Sequence, residues 1–495
     1  MTVLAHRVDT LTRDALAVLQ PGFEGTTAPA WLLRRVGEGL TAVGLFGRNI
    51  ATPEQLAALT AQLRAERDDV LVAIDEEGGD VTRLEVRGGS SFPGNLALGA
   101  VDDTVLTRDV ARELGRRLAE CGVNLNWAPS ADVNSNPDNP VIGVRSFGAD
   151  TRLAARHTAA YVEGLQSAGV AACTKHFPGH GDTNVDSHHA LPRIDVDLDT
   201  LQARELIPFK AAIEAGTKAV MSAHILVPAL DPARPATLSP QILTGLLRKE
   251  LGYEGLIVTD GMEMNAIAGT YGIERGSVLA IAAGADAICV GGGLADEATV
   301  LRLQGALIAA VREGALPEER LADAAARVRE LAAWTRQARA AAVPGAPEGG
   351  APGIGLAAAR RAVVASGAAA PVSDPYVATL APVANIAVGD ETPWGVAGEL
   401  AALVPGSGSG VFAEGAAAGD VLAAAGGRTV VAVVRDAHRH PWMTRVLDAL
   451  VAARPDTVVV EMGVPRAEPR GALYIATHGA SRVCGRAAAE LIAGV

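Results

Sequence analysis

The residues 175–189, KHFPGHGDTNVDSHH, hold four of the chain's ten histidines and two aspartates. Imidazoles change charge near neutral pH, and Pro178 and Gly179 open the segment as a loop, so acid/base chemistry is expected here. Asp186 precedes His188 by two, on a stretch without helical pattern that ends at Pro192. On such a backbone the carboxylate can hold one imidazole nitrogen and leave the other facing a substrate. The same pairing favours the imidazolium and raises its pKa toward a value suited to donating a proton. Asp260 follows the apolar run LIVT and precedes Gly261. A carboxylate emerging at a strand end beside a small residue is a candidate nucleophile, although the position would also suit a helix cap. His176 and His180 have the spacing of two metal ligands on a helix. Phe177-Pro178-Gly179 forbids that helix, and Lys175 would set a cation beside the metal, so no metal is expected.

Positioning these groups requires a scaffold. Short apolar runs end at Asn49, Asp75, Ser130, Gly179, Ile225, Met262 and Gly293. Segments of helical periodicity, such as PEQLAALTAQLRAERDD and TRDVARELGRRLAECG, separate them. With a first strand near Gly22, the pattern predicts an α/β fold beginning with a (β/α)8 TIM-type barrel over residues 1–335. Asp75, Lys175, His176, His224 and Asp260 then fall at or just past the C-terminal ends of strands, the functional face of such a barrel. Residues 336–356, rich in Ala, Pro and Gly, read as a linker or connecting segment. Beyond it, RTVVAVVRD, TVVVEMGVP and ALYIATHG alternate with helices. They predict a smaller αβα sandwich over 357–495 with parallel crossovers. His438, His440 and His478 read there as surface or loop residues rather than catalytic ones.

The 495 residues are 49% hydrophobic, enough for two cores. A formal charge of −13 without a basic stripe argues against a nucleic-acid partner and for a small-molecule one. Cys121, Cys173, Cys289 and Cys484 are widely spaced and read as reduced, buried residues. The first twenty residues are broken by His6, Arg7, Asp9, Arg13 and Asp14, unlike a signal peptide, and no run has the length of a membrane span. A cytoplasmic protein without membrane partners is expected; oligomeric state is left open.

The segment KHFPGHGDTNVDSH resembles the signature of family 3 glycoside hydrolases, in the β-N-acetylglucosaminidase branch typified by bacterial enzymes of cell-wall recycling. DEEGGDVTRL at 75–84, NPVIGVRSFG at 139–148 and GYEGLIVTDGMEM at 252–264 join it in order. The resemblance implies that Asp260 is the nucleophile, His188 the general acid/base and Asp186 its partner. It places Asp75, Arg83, Arg145, Lys175 and His176 on sugar-binding positions. Two residues depart from the pattern: Asp80 stands where Arg is common, and Gly261 where a second acid is frequent. The implied reaction is retaining, exo-acting cleavage of terminal β-linked N-acetylglucosamine from muropeptides or chitooligosaccharides, with no cofactor. An imidazole does not repel an anionic acceptor as a carboxylate would, so phosphorolysis is an alternative expectation. A catalytically inactive sugar-binding protein is the other.

Overall fold

The computed structural model describes residues 10–186, 191–341, 353–383, 388–389 and 391–495. Its first half is built on eight short, wholly buried strands: β1 (Leu19–Pro21), β2 (Ala42–Leu45), β3 (Leu71–Ile74), β4 (Leu125–Asn126), β5 (Ala171–Phe177), β6 (Ala219–Ser222), β7 (Leu256–Thr259) and β8 (Ile288–Val290). Strands β2 to β7 form one parallel sheet in chain order, while β1 pairs in parallel with β8. A parallel bridge from Val258 to Ala287 ties β8 to β7, and β1 lies against β2. Helices alternate with these strands along the chain, and each strand is buried at every position, which is why the strands read as continuous apolar runs rather than alternating ones.

Helix starts follow from side-chain caps. Thr52, Asp103, Asp150 and Asp296 each accept a backbone N–H in the first turn of the helix that follows. The helix Glu318–Ala341 runs past residue 335 into the stretch expected to be a linker. Arg336, Gln337, Ala338, Arg339, Ala340 and Ala341 are all good helix formers, and no breaker intervenes before Pro344, so the turn propagates. A linker therefore does not begin at 336.

The second half holds β9 (Val364–Gly367), β10 (Pro375–Leu380), β11 (Gly408–Phe412), β12 (Thr429–Val434), β13 (Val458–Glu461) and β14 (Leu473–Ala476). The sheet order is β11-β10-β12-β13-β14-β9, parallel except for β9. Separate apolar clusters fill its two faces: Val431, Val433, Val458 and Val460 on one, Val430, Ala432 and Val459 on the other. The helices Pro441–Ala453 and Arg482–Ala493 contribute to opposite clusters. The four cysteines are buried and unbridged. Among the described residues no helix is long and apolar enough to cross a membrane.

The two halves are pinned together through polar groups. Asp80, in the loop after β3, is buried, forms an ion pair with Arg435 and accepts the Ala480 N–H at 2.7 Å. His438 Nε2 reaches the Pro137 carbonyl at 2.9 Å, and Arg361 meets Asp103 at 2.9 Å. Helix Ile354–Ala362 is seated so closely that a Cβ on Gly355 would stand 1.9 Å from the Ser91 carbonyl.

Candidate active site

The loop after β3 supplies Asp75 and Glu77, and the end of β5 supplies Lys175. Lys175 is only 2% exposed, with its Nζ bonded to Asp75 and 2.6 Å from Glu77 Oε1. Arg145 clasps the same Glu77 from the other side, with Nη2 at 2.7 Å from Oε1 and Nε at 3.0 Å from Oε2. Arg83 approaches Asp75 at 3.5 Å. Burial opposes ionisation of Glu77, but Arg145 and Lys175 hold its pKa below the usual carboxylate range. Lys175 is likewise kept charged against burial by Asp75 and Glu77. Two cations and two carboxylates interlock here, which fixes each head group without a side chain free to swing.

A second network lies beside it. Asp132, in the loop after β4, is buried and accepts Nδ1–H of His176 at 2.7 Å, the His180 N–H at 2.7 Å and the Ser130 hydroxyl at 2.9 Å. Burial works against this carboxylate, yet His176 and His180 hold it well below its ordinary pKa. The other nitrogen of His176 lies 3.3 Å from Arg145 Nη2, an arrangement that fits the tautomer with the proton on Nδ1. His176 thus joins the two networks. His180 packs edge-on against it, and burial, then His176, push its pKa down to about 4.

The loop 178–182 that leaves β5 is held from below. Gly179 has φ of +127°, and a Cβ there would come 2.7 Å from Glu205 Oε2; a Cβ on Gly181 would overlap the Val133 carbonyl at 1.7 Å. Arg204 joins Asp182 and Glu205, both at 2.6 Å. Asp186, at the end of the described part of this loop, lines a cleft of about 430 Å³ together with Arg145. His188 lies outside the described residues, so its pairing with Asp186 has no geometry here.

Asp260 stands directly after β7, half-buried. Its Oδ1 accepts the Gly261 N–H at 2.8 Å. Its neighbours are fixed: His224 Nε2 donates to the Gly261 carbonyl at 3.0 Å, and Glu263 accepts the N–H groups of Gly291, at 3.0 Å, and Gly292. Burial, then Glu263, Asp260 and Asp75, drive the Cys289 thiol well above its ordinary pKa. Because β3 and β7 run parallel in one sheet, Asp75 and Asp260 leave their strands at the same end of it.

Of the residues expected from the sequence, Asp75, Arg83, Arg145, Lys175 and His176 are directly linked, Asp260 stands at the end of β7, and Asp186 lines the adjoining cleft with Arg145. Glu77 and Asp132 were not anticipated, although each is the hub of its network. The available signals were an acid two residues beyond Asp75 in DEEGG and an Asp just past β4 in PSAD. Among the described residues no group of three or more His, Cys, Asp or Glu is placed to hold a metal ion.

Residues 31–331 match the family described as Glycosyl hydrolase family 3 N terminal domain. Beta-hexosaminidase A of Pseudoalteromonas piscicida is 37% identical over 311 residues, covering 58% of this chain and 52% of that protein. The match thus spans about half the length of that relative. A beta-hexosaminidase of Neisseria gonorrhoeae is 35% identical over 265 residues, covering 52% of this chain and 73% of its own. A structure described as a glycoside hydrolase family 3 beta-N-acetylglucosaminidase from Paenibacillus sp. str. FPU-7 superposes with a TM-score of 0.88 at 34% identity, covering 98% of this chain and 97% of that one.

Proposed function

Since this chain belongs to glycosyl hydrolase family 3, we propose that it is a retaining, exo-acting β-N-acetylglucosaminidase in which Asp260 is the nucleophile and His188 the general acid/base. In this reading the first half of the chain, through the helix that ends at Ala341, is a catalytic (β/α)8 barrel, and 357–495 an αβα sandwich.

The observation that carries the reading is the placement of Asp260 at the C-terminal end of β7, in the same parallel sheet whose β3 and β5 deliver the interlocked Asp75, Glu77 and Lys175 at their own C-terminal ends. A sugar hydroxyl can donate to Asp75 and accept from Arg83, Lys175 or Arg145. Held in this way, the anomeric carbon faces Asp260. The carboxylate attacks that carbon while His188, oriented by Asp186, protonates the departing oxygen. A glycosyl ester and a free aglycone result. The same imidazole then deprotonates water, which displaces the ester with overall retention. His176 serves as a positioning residue, because its ring steadies Arg145 while Asp132 holds the ring.

The names of the relatives, beta-hexosaminidase and beta-N-acetylglucosaminidase, support N-acetylglucosamine as the glycone; a muropeptide or chitooligosaccharide is the substrate this reading assigns. Aryl β-N-acetylglucosaminide and aryl β-glucoside, compared as substrates, test the reading. The acetamido sugar should be hydrolysed with at least a hundredfold higher kcat/KM, since a pocket's unpaired polar groups penalise a missing partner by about that much or more. Equal rates, or preference for the glucoside, would overturn it.

A further inference from the structure

Both halves of the chain wall the cleft beside the glycone network. Arg145 and Asp186 line it from the first half, and Trp394, Asp436, Arg439 and His440 from the second. Its charges are unequally committed. Arg145 is spent on Glu77, and Arg435 is spent on Asp80. Asp436 accepts the Val464 N–H at 2.8 Å. Arg439 is different: its nearest carboxylate among the described residues is Asp436 at 3.9 Å, beyond hydrogen-bond reach, and its side chain is 22% exposed. Among the described residues, a planar fork of five N–H donors therefore borders the cleft without a bonded carboxylate.

Two further groups point to a ligand rather than to a bare surface. Thr392 Oγ1 is buried at the cleft wall without a hydrogen-bond partner, a state that costs free energy unless something fills it. Trp394 offers an aromatic ring of the kind on which sugar rings pack, and the Arg435 guanidinium, 5.9 Å from its centroid, braces it. His440, whose pKa is lowered first by burial and then by Arg439, adds a neutral polar edge.

We propose that this cleft is the aglycone subsite and that Arg439 makes it selective for leaving groups that carry a carboxylate. The inference rests on the glycosidase reading above and goes beyond it in assigning aglycone choice to the second half of the chain. A carboxylate takes two parallel N–H bonds from a guanidinium, whereas a hydroxyl or an ester oxygen takes one weaker bond. Asp436 is near enough to orient Arg439 and too far to satisfy it. Asp186 lines the same cleft from the first half of the chain, as Arg439 does from the second.

The test uses the full chain and one disaccharide in two forms, N-acetylglucosaminyl-β-1,4-N-acetylmuramic acid and its methyl ester, in which the lactyl carboxylate is replaced by an uncharged ester. The wild type should favour the free acid in kcat/KM by roughly tenfold, the worth of one charge-assisted hydrogen-bond pair. Arg439→Ala should bring that ratio close to one, and Arg439→Lys should leave it in between. A wild-type ratio near one, or a ratio unchanged in Arg439→Ala, overturns the proposal. Because the ratio is taken within each variant, a loss of folded enzyme cannot imitate it. If the wild type also fails on the aryl β-N-acetylglucosaminide, the glycosidase reading itself falls; if it cleaves that substrate but shows no acid preference, only the subsite assignment does.

Discussion

At the scale of single residues, the centre of the site is held by a carboxylate that makes no obvious claim on chemistry. Glu77 is 3% exposed and neutralises both Lys175, at 2.6 Å, and Arg145, at 2.7 Å. Glu77→Gln would leave two buried cations with an amide that can accept only at one atom. Uncompensated buried charge of this kind costs about 3–5 kcal/mol. Denaturant unfolding should show a loss of that size, accompanied by weaker substrate binding, whereas a loss below about 1 kcal/mol would mean that solvent or Asp75 already satisfies the cations. The sequence made Lys175, Asp75 and Arg145 legible because each ends a strand or sits in a distinctive run. It did not make Glu77 or Asp132 legible, because a carboxylate's partners are chosen in three dimensions. DEEGGD offers four acids, and only the fold decides that Glu76 accepts the Arg83 and Leu84 N–H groups, at 2.7 Å each, while Glu77 takes the cations.

At the scale of elements, the loop leaving β5 depends on the segment 198–214 packed beneath it. Glu205 Oε1 pairs with Arg204, while Oε2 is buried without a partner and faces Gly179. Burial pushes the Glu205 pKa up to about 7, with Asp132 and Asp182 adding to the shift and Arg204 opposing it. An acid whose folded pKa exceeds its unfolded value contributes stability that is complete below about pH 4.5 and is lost as pH rises through about 7. His180, lowered to about 4, acts in the opposite sense below its ordinary value of 6.5, so the two partly cancel in the intact protein. The difference between wild type and Glu205→Gln isolates the carboxyl. Unfolding free energy measured from pH 4.5 to 8 should fall less steeply with pH in the variant, and superimposable slopes would show that Glu205 ionises freely. Strand and helix periodicity anticipated β1 to β8 and the later β12, β13 and β14. It missed β9, β10 and β11; in β9 and β11 the short VASG run and Gly408 and Gly410 give little β-branched signal. The helix continuing to Ala341 was hidden for the converse reason, since an Ala-rich stretch before Pro and Gly resembles a linker until its helix propensity is summed.

At the scale of the whole molecule, the departure at Asp80 finds its reason. A residue that reads locally as an irregular substitution in EGGDV is the anchor of the second half, through Arg435 and the Ala480 N–H. The segment after residue 387 then reaches back over the first half, where Arg83 donates to the Val388 carbonyl at 3.4 Å. That contact places a loop of the second half beside Arg83 and its partner Asp75. No local pattern could have revealed it, because it joins positions some three hundred residues apart. His440, which reads from sequence as a surface or loop residue, consequently lines the cleft. The proposed reaction turns on one bond, the ester between the glycone and Asp260. Incubation with a slow 5-fluorinated N-acetylglucosaminyl fluoride, followed by proteolysis and mass spectrometry, should find one added sugar on the peptide containing Asp260 and none in Asp260→Asn. A sugar attached to any other residue, or turnover that continues undiminished in Asp260→Asn, would contradict it.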